Sequence, residues 1–184
     1  MTFDEIIAEA NAGNADAQFE LGYFWAQRDH FNEALEWYKK SANQGHLNAQ
    51  YNLGSFYHDV GDYKESFYWH EKAAQQGDKE SQTIIGEYYL DGTGVIQNEE
   101  KAVYWFNQSA QQGNPMAMFH LGECYYKGRG VEADTVKAIE WLKKAEAHGD
   151  TDARRYWLQL YWDKSITSFD RLFHVKPFNE YLDH

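Results

Sequence analysis

His70 and Glu71 open the pattern His-Glu-x-x-His, in which two imidazoles one helical turn apart hold zinc beside a glutamate base. Position 74 is Ala, so the second ligand is missing, and none of the 8 histidines forms a close pair at helical spacing. No metal site follows from the sequence. Gly92-Thr93-Gly94 and Gly128-Arg129-Gly130 precede helical segments, as phosphate-binding turns do. Neither follows a strand, and neither leads into Gly-Lys-Ser/Thr, so both read as turns without a nucleotide. Cys124 lies one position before an expected core aromatic and reads as a small half-buried thiol rather than a nucleophile. Glu99 and Glu100 suit a helix start through the macrodipole better than they suit acid–base catalysis. Asn107-Gln108-Ser109 fits a glycosylation acceptor but falls within a helix. The residues predict no catalytic site and no cofactor.

Composition narrows the class further. Only two prolines, Pro115 and Pro177, interrupt 184 residues, and 17% aromatics provide a core. The net charge of −12, with no Lys or Arg among residues 1–27, repels nucleic acid and anionic lipid. It serves solubility alone or attracts a basic partner. One cysteine allows no intrachain disulfide, and no stretch approaches 18 apolar residues. The opening Met1-Thr2-Phe3-Asp4-Glu5 has neither a basic nor an apolar leader segment, so the expected location is the cytoplasm.

The elements come from a repeat. Gly13, Gly45, Gly77, Gly113 and Gly149 are spaced by 32, 32, 36 and 36 residues, and Gly22, Gly54, Gly86 and Gly122 follow the first four by nine. Four, eight and twelve residues after each loop glycine stand a small residue (Ala17, Ala49, Ser81, Ala117, Ala153), a large apolar one (Leu21, Leu53, Ile85, Leu121, Trp157) and an aromatic (Trp25, Tyr57, Tyr89, Tyr125, Tyr161). Steps of four line one face of a helix, here helix A. Helix B carries Trp37, Trp69, Trp105 and Trp141 eight residues before the next glycine, flanked by small residues. These tryptophans predict a buried ladder between stacked pairs, each costing ~3–5 kcal/mol on truncation to Ala. The glycines inside helix A require a compensating close approach by helix B. The loop glycines suit positive φ after helix B, and Asn114-Pro115 reads as an N-cap followed by proline at the first helical position.

The segments Leu121-Gly122-x-x-Tyr125-x-x-Gly128-x-Gly130-Val131, Lys137-Ala138-x-x-Trp141-x-x-Lys144-Ala145 and Gly149 resemble the Sel-one-like repeat. Ile85-Gly86-x-x-Tyr89-x-x-Gly92-x-Gly94-Val95 and Lys101-Ala102-x-x-Trp105 repeat the pattern. The resemblance covers roughly residues 13–162. This family is related to the tetratricopeptide repeats. It implies an all-α right-handed superhelix of antiparallel helix pairs that serves as a protein-binding adaptor. The first two repeats lack the four-residue Gly-x-Gly-Val insert and are spaced like tetratricopeptide repeats.

The expected organisation is one α-solenoid domain over 1–184. A capping helix fills 1–12 and is opened by the capping box Thr2-x-x-Glu5. Repeats follow at 13–44, 45–76, 77–112 and 113–148, then a partial repeat at 149–163. The segment 164–184 is either a lid over the last pair or a tail that engages a partner.

The tetratricopeptide relation implies that A helices line a concave groove. Residues escaping the core frame would point there: Phe19, Tyr51, Thr83 and Phe119 two positions before the core Leu or Ile, Tyr23, Ser55, Glu87 and Glu123 two positions after it, and His58 one turn on. Phe19, Tyr51 and Phe119 would equally suit packing against the next pair. Aromatics among acids suit a basic or mixed peptide. The expected function is a non-enzymatic adaptor holding a protein or peptide. A bacterial immunity protein neutralising a basic toxin is one alternative and an enzyme another, and self-association is a further reading.

Overall fold

The computed structural model describes residues 2–165, with side chains through Trp162. The tail at 166–184 therefore lies outside the described residues. All regular structure among them is helical: α1 Phe3–Asn11, α2 Ala15–Ala26, α3 Phe31–Asn43, α4 Leu47–Asp59, α5 Tyr63–Gln75, α6 Lys79–Asp91, α7 Glu99–Gln111, α8 Pro115–Lys127, α9 Thr135–Ala147 and α10 Thr151–Ser165. Contacts divide the chain into two compact units, Met1–Asn98 and Glu99–His184. Within the first, each helix from α1 to α6 packs on the next, and within the second the same holds from α7 to α10.

The links between pairs are as short as they can be. Gly13 takes φ +99° after α1, its N–H donates to Ala10 O, and the Asn14 N–H reaches back to Glu9 O. Asn14 then caps α2, its Oδ1 accepting the Ala17 N–H at 3.0 Å. The residue after every loop glycine does this: His46, Asp78, Asn114 and Asp150 accept from Ala49, Ser81, Ala117 and Ala153. One glycine ends a helix and its neighbour starts the next. The Thr2–Glu5 capping box opens α1 as expected, and Pro115 stands at the first turn of α8.

The A-helix core frame is buried at Ala17, Leu21, Ala49, Leu53, Ser81, Ile85, Ala117, Leu121 and Ala153. The last helix breaks it. Trp157 is half-buried, Tyr161 is exposed, and Leu160 fills the core instead. The close approach foreseen at the A-helix glycines is present at Gly22, Gly54 and Gly122. A Cβ on Gly22 would sit 2.6 Å from the Tyr38 ring, on Gly54 2.5 Å from the His70 ring, and on Gly122 2.6 Å from Leu142.

That contact corrects the tryptophan ladder. The B-helix residues that close on helix A come one position later, at Tyr38, His70 and Leu142, and Phe106 at the same frame position is fully buried too. A step of 100° swings the preceding Trp off the axis of that contact. Only Trp69 is buried, at 5% exposure, in a cluster with Ala34, Tyr38, Ala42, Ala49 and Leu53. Trp37 packs half-buried on Ala10, Ala17 and Leu21, with the Lys40 ammonium 3.8 Å from its ring centre. Trp141 is half-buried beneath Lys144 at 4.1 Å. The full penalty of ~3–5 kcal/mol on truncation therefore belongs to Trp69 alone.

The Gly-x-Gly-Val inserts tie neighbours together. Gly92 and Gly128 end α6 and α8 in the left-handed region. Gly94 lies against the backbone carbonyl of Tyr63 at the start of α5, and Gly130 against that of Glu99 at the start of α7. Arg129 Nε adds a 2.9 Å ion pair to Glu99. Only a residue without Cβ fits at Gly94 or Gly130.

Candidate functional site

In the first unit the A-helix residues at equivalent frame positions take different roles. Phe19 is half-buried, stacked on the His46 ring at 4.6 Å and tilted against Tyr38 at 5.8 Å. Its neighbour Tyr23 is 49% exposed, with ring centroids 6.5 Å apart. Tyr51 is half-buried and sets its edge on His70 at 5.5 Å. Phe19 and Tyr51 thus pack on the following elements while each keeps part of its surface. Thr83 departs from its expected place in the groove. It is 3% exposed and its hydroxyl donates to Lys79 O at 3.1 Å, so it offers no surface to a partner. The equivalent Phe19, Tyr51 and Phe119 stay half-open.

Ser55, His58 and Glu87 are brought together. With Asp59, His70, Ile84 and Tyr88 they line a pocket of about 260 Å³ between α4, α5 and α6. His58 stacks over Tyr88 at 6.3 Å and meets Tyr63 edge-on at 5.6 Å, while its Nδ1 lies 3.7 Å from Asp59 Oδ1. The Ser66 hydroxyl donates to Gly54 O at 2.7 Å, so the Tyr88 hydroxyl donates to Ser66 Oγ at 2.8 Å. His70 lies beneath, 1% exposed, with Nδ1 3.2 Å from Ser81 Oγ. Burial pushes its pKa down to about 4, so the ring is neutral at physiological pH.

In the second unit Phe119 tilts against Tyr156 of α10 at 5.6 Å and stays half-buried. Glu123 is half-buried between His120 Nδ1 at 3.7 Å and Lys127 Nζ at 2.7 Å. The His120 imidazole and then the Lys127 ammonium hold its carboxyl down to about 2 against the opposing effect of burial. Cys124 is more deeply placed than a half-buried thiol. It is 1% exposed, and burial pushes its pKa up to about 11, away from the thiolate that chemistry requires. Among the described residues no group of three His, Cys, Asp or Glu gathers as a metal site would need. No helix among them is long and apolar enough to cross a membrane.

Reading the sequence missed one polar system. Gln18, Gln50 and Gln82 are buried, and their amides donate to Ala10 O, Ala42 O and Ala74 O at 3.0–3.1 Å. Gln44 and Gln76 then donate to Gln18 Oε1 and Gln50 Oε1 at 2.8 and 2.6 Å. The signal was available, since a glutamine stands five residues after each of the first three loop glycines. Position 118 is Met, so the ladder stops before the fourth repeat.

Four consecutive stretches, residues 15–46, 47–78, 79–114 and 115–150, match the Sel1 repeat. Their boundaries follow the loop glycines by one residue or two, at the N-cap or the first turn of each A helix. Among solved structures, a protective antigen present in uropathogenic Escherichia coli strains, displaying an SLR fold, matches with TM-score 0.81 and 30% identity. That match covers 90% of this chain and 37% of the other. A Sel1 repeat protein from Oxalobacter formigenes matches with TM-score 0.74 and 32% identity, over 86% of this chain and 48% of the other. The chain thus spans less than half the length of either structure. The comparison with curated proteins found no match. Repeats of this kind typically mediate protein–protein interaction. With a glycine register that runs through all four matched stretches, the chain belongs to the Sel1 repeat family.

Proposed function

We propose that this chain is a non-catalytic adaptor that holds a protein or peptide along its A-helix faces. The observation that carries the reading is the surface of α2, α4 and α6, where Phe19, Tyr23 and Tyr51 keep part of their rings open beside acids such as Glu20, Asp59 and Glu87. Rigid aromatics with two side-chain torsions lose little entropy on binding and make effective anchors. A partner with basic residues suits the surplus of acids, because long-range attraction speeds encounter.

Photo-crosslinking tests this directly. A benzoylphenylalanine replacing Tyr23 on α2 should give a discrete adduct on irradiation in native cells. The same probe replacing Tyr68, exposed on α5, should not. Equal adducts from both sites, or none from Tyr23, would overturn the groove reading.

A further inference from the structure

The first junction between a B helix and the next A helix is built like the others but charged differently. At Gly45, the residues seven and four before the glycine and one after it receive α2. Tyr38 closes on Gly22, the Ser41 hydroxyl donates to Ala15 O at 2.7 Å in the first turn of α2, and the His46 ring stacks on Phe19 at 4.6 Å. At Gly13 the same three places hold Ile6, Glu9 and Asn14, and among the described residues no A helix precedes them. With Asp16, Ala17 and Glu20 of α2 they line an open cleft of about 450 Å³.

Ile6 and the buried Ala17 give this cleft an apolar floor. Glu9, Asp16 and Glu20 surround it, where the next junction has Ser41, Asn48 and Asn52 and no later junction has more than one carboxylate at these three positions. Glu9 is half-buried already, and its equivalents Ser41, Ala73, Ser109 and Ala145 are fully buried. An uncharged A helix seated here would therefore bury the Glu9 carboxylate without a counter-charge, which is costly. No Lys or Arg lines the cleft. The first one in the chain, Arg28, is held over the Phe24 ring at 3.5 Å and donates to Phe24 O. A face kept merely soluble mixes both signs, whereas residues 1–27 hold five acids and no Lys or Arg. The excess extends through the unit, since residues 1–98 hold 16 Asp and Glu against 6 Lys and Arg.

We propose that this cleft seats an amphipathic helix of a basic partner, with glycine against Ile6 and Lys or Arg toward Glu9, Asp16 and Glu20. The helix takes the place that α2 takes at Gly45. Glycine is required because the closing side chain of a B helix comes within 2.5–2.6 Å of where a Cβ would stand at Gly22, Gly54 and Gly122. The first turn of the incoming helix meets Glu9, as the first turn of α2 meets Ser41. Its free N–H groups and the positive end of its dipole then add to the attraction of its side chains. The seat lies at the end of the array and does not depend on the groove along Tyr23 and Tyr51.

The probe is a stapled helical peptide with the α4 sequence, residues 46–60, carrying Asn48→Lys and Tyr51→Lys. These positions correspond to Asp16 and Phe19 of α2, which face His46, and the peptide keeps Gly54 for Ile6. Titrated into the full-length, nitrogen-15-labelled chain, it should give saturable amide shifts centred on Ile6, Glu9, Ala17 and Glu20. The peptide with glutamate at both positions should bind at least about tenfold more weakly, because like charges then face each other. Adding Gly54→Leu to the lysine peptide should abolish its binding. In the chain, Glu9→Gln should weaken the lysine peptide about threefold, and Glu9→Lys with Glu20→Lys should invert the preference in favour of the glutamate peptide. Equal affinity for the two peptides, a preference that does not invert, tolerance of Gly54→Leu, shifts centred elsewhere or no saturable shift would each overturn the proposal. A chain that fails this titration but forms the Tyr23 adduct loses the end seat and keeps the groove, and the reverse pair of results keeps the seat and loses the groove.

Discussion

At the scale of single residues, His70 gives the fold a pH response between about pH 6.5 and about 4. Its folded pKa is about 4 against 6.5 for the free side chain. Between these values the unfolded chain binds a proton that the folded chain refuses. Stability therefore falls as pH drops from about 6.5 to about 4, by up to about 3 kcal/mol at full effect. Urea titrations across that window should show this slope in the native chain and a reduced one in His70→Phe, whose side chain occupies the equivalent position at Phe106. An unchanged slope would place the effect on other groups. The sequence already set His70 apart, but for the wrong chemistry. It fell inside an abortive zinc pattern, whereas its meaning came from the frame position it shares with Tyr38, Phe106 and Leu142. That position was hidden because Trp stands beside it, and the larger, rarer side chain drew the core assignment to itself.

At the scale of elements, the loop glycines divide into two kinds with different energetics. Gly13 adopts φ +99° in open space, so Gly13→Ala should cost only the left-handed strain, ~1–2 kcal/mol. Gly94 adopts φ +70° with the Tyr63 carbonyl against it, and a methyl there meets backbone that cannot turn aside. Gly94→Ala should cost that strain and ~1–3 kcal/mol more. Chemical denaturation of the two variants compares them, and equal losses would mean that the insert is slack. Helix positions, caps and the close approach at Gly22, Gly54 and Gly122 could be read from spacing, because period and glycine chemistry are local. The orientation of half-buried rings could not. Phe19, Tyr51 and Phe119 satisfy both a groove and a neighbouring pair until the neighbours are placed, and Thr83 is buried at a position where those rings stay half-open. The glutamine ladder stayed hidden because glutamine usually reads as surface, and only tertiary partners make it core.

At the scale of the whole molecule, charge is unevenly shared between the units, ten of twelve excess negative charges falling in residues 1–98. Association with a basic partner should then slow steeply as ionic strength rises from about 0.01 to about 0.15 M, where screening shortens from ~30 to ~8 Å. Stopped-flow association rates measure this, and a salt-independent rate would remove charge from the encounter. Cys124 has a different consequence at this scale. As the lone cysteine of the chain, sealed within the second unit, it is a built-in clock. A thiol reagent can reach it only when α8 lifts from its neighbours, so the labelling rate counts the openings of that unit without any engineered probe.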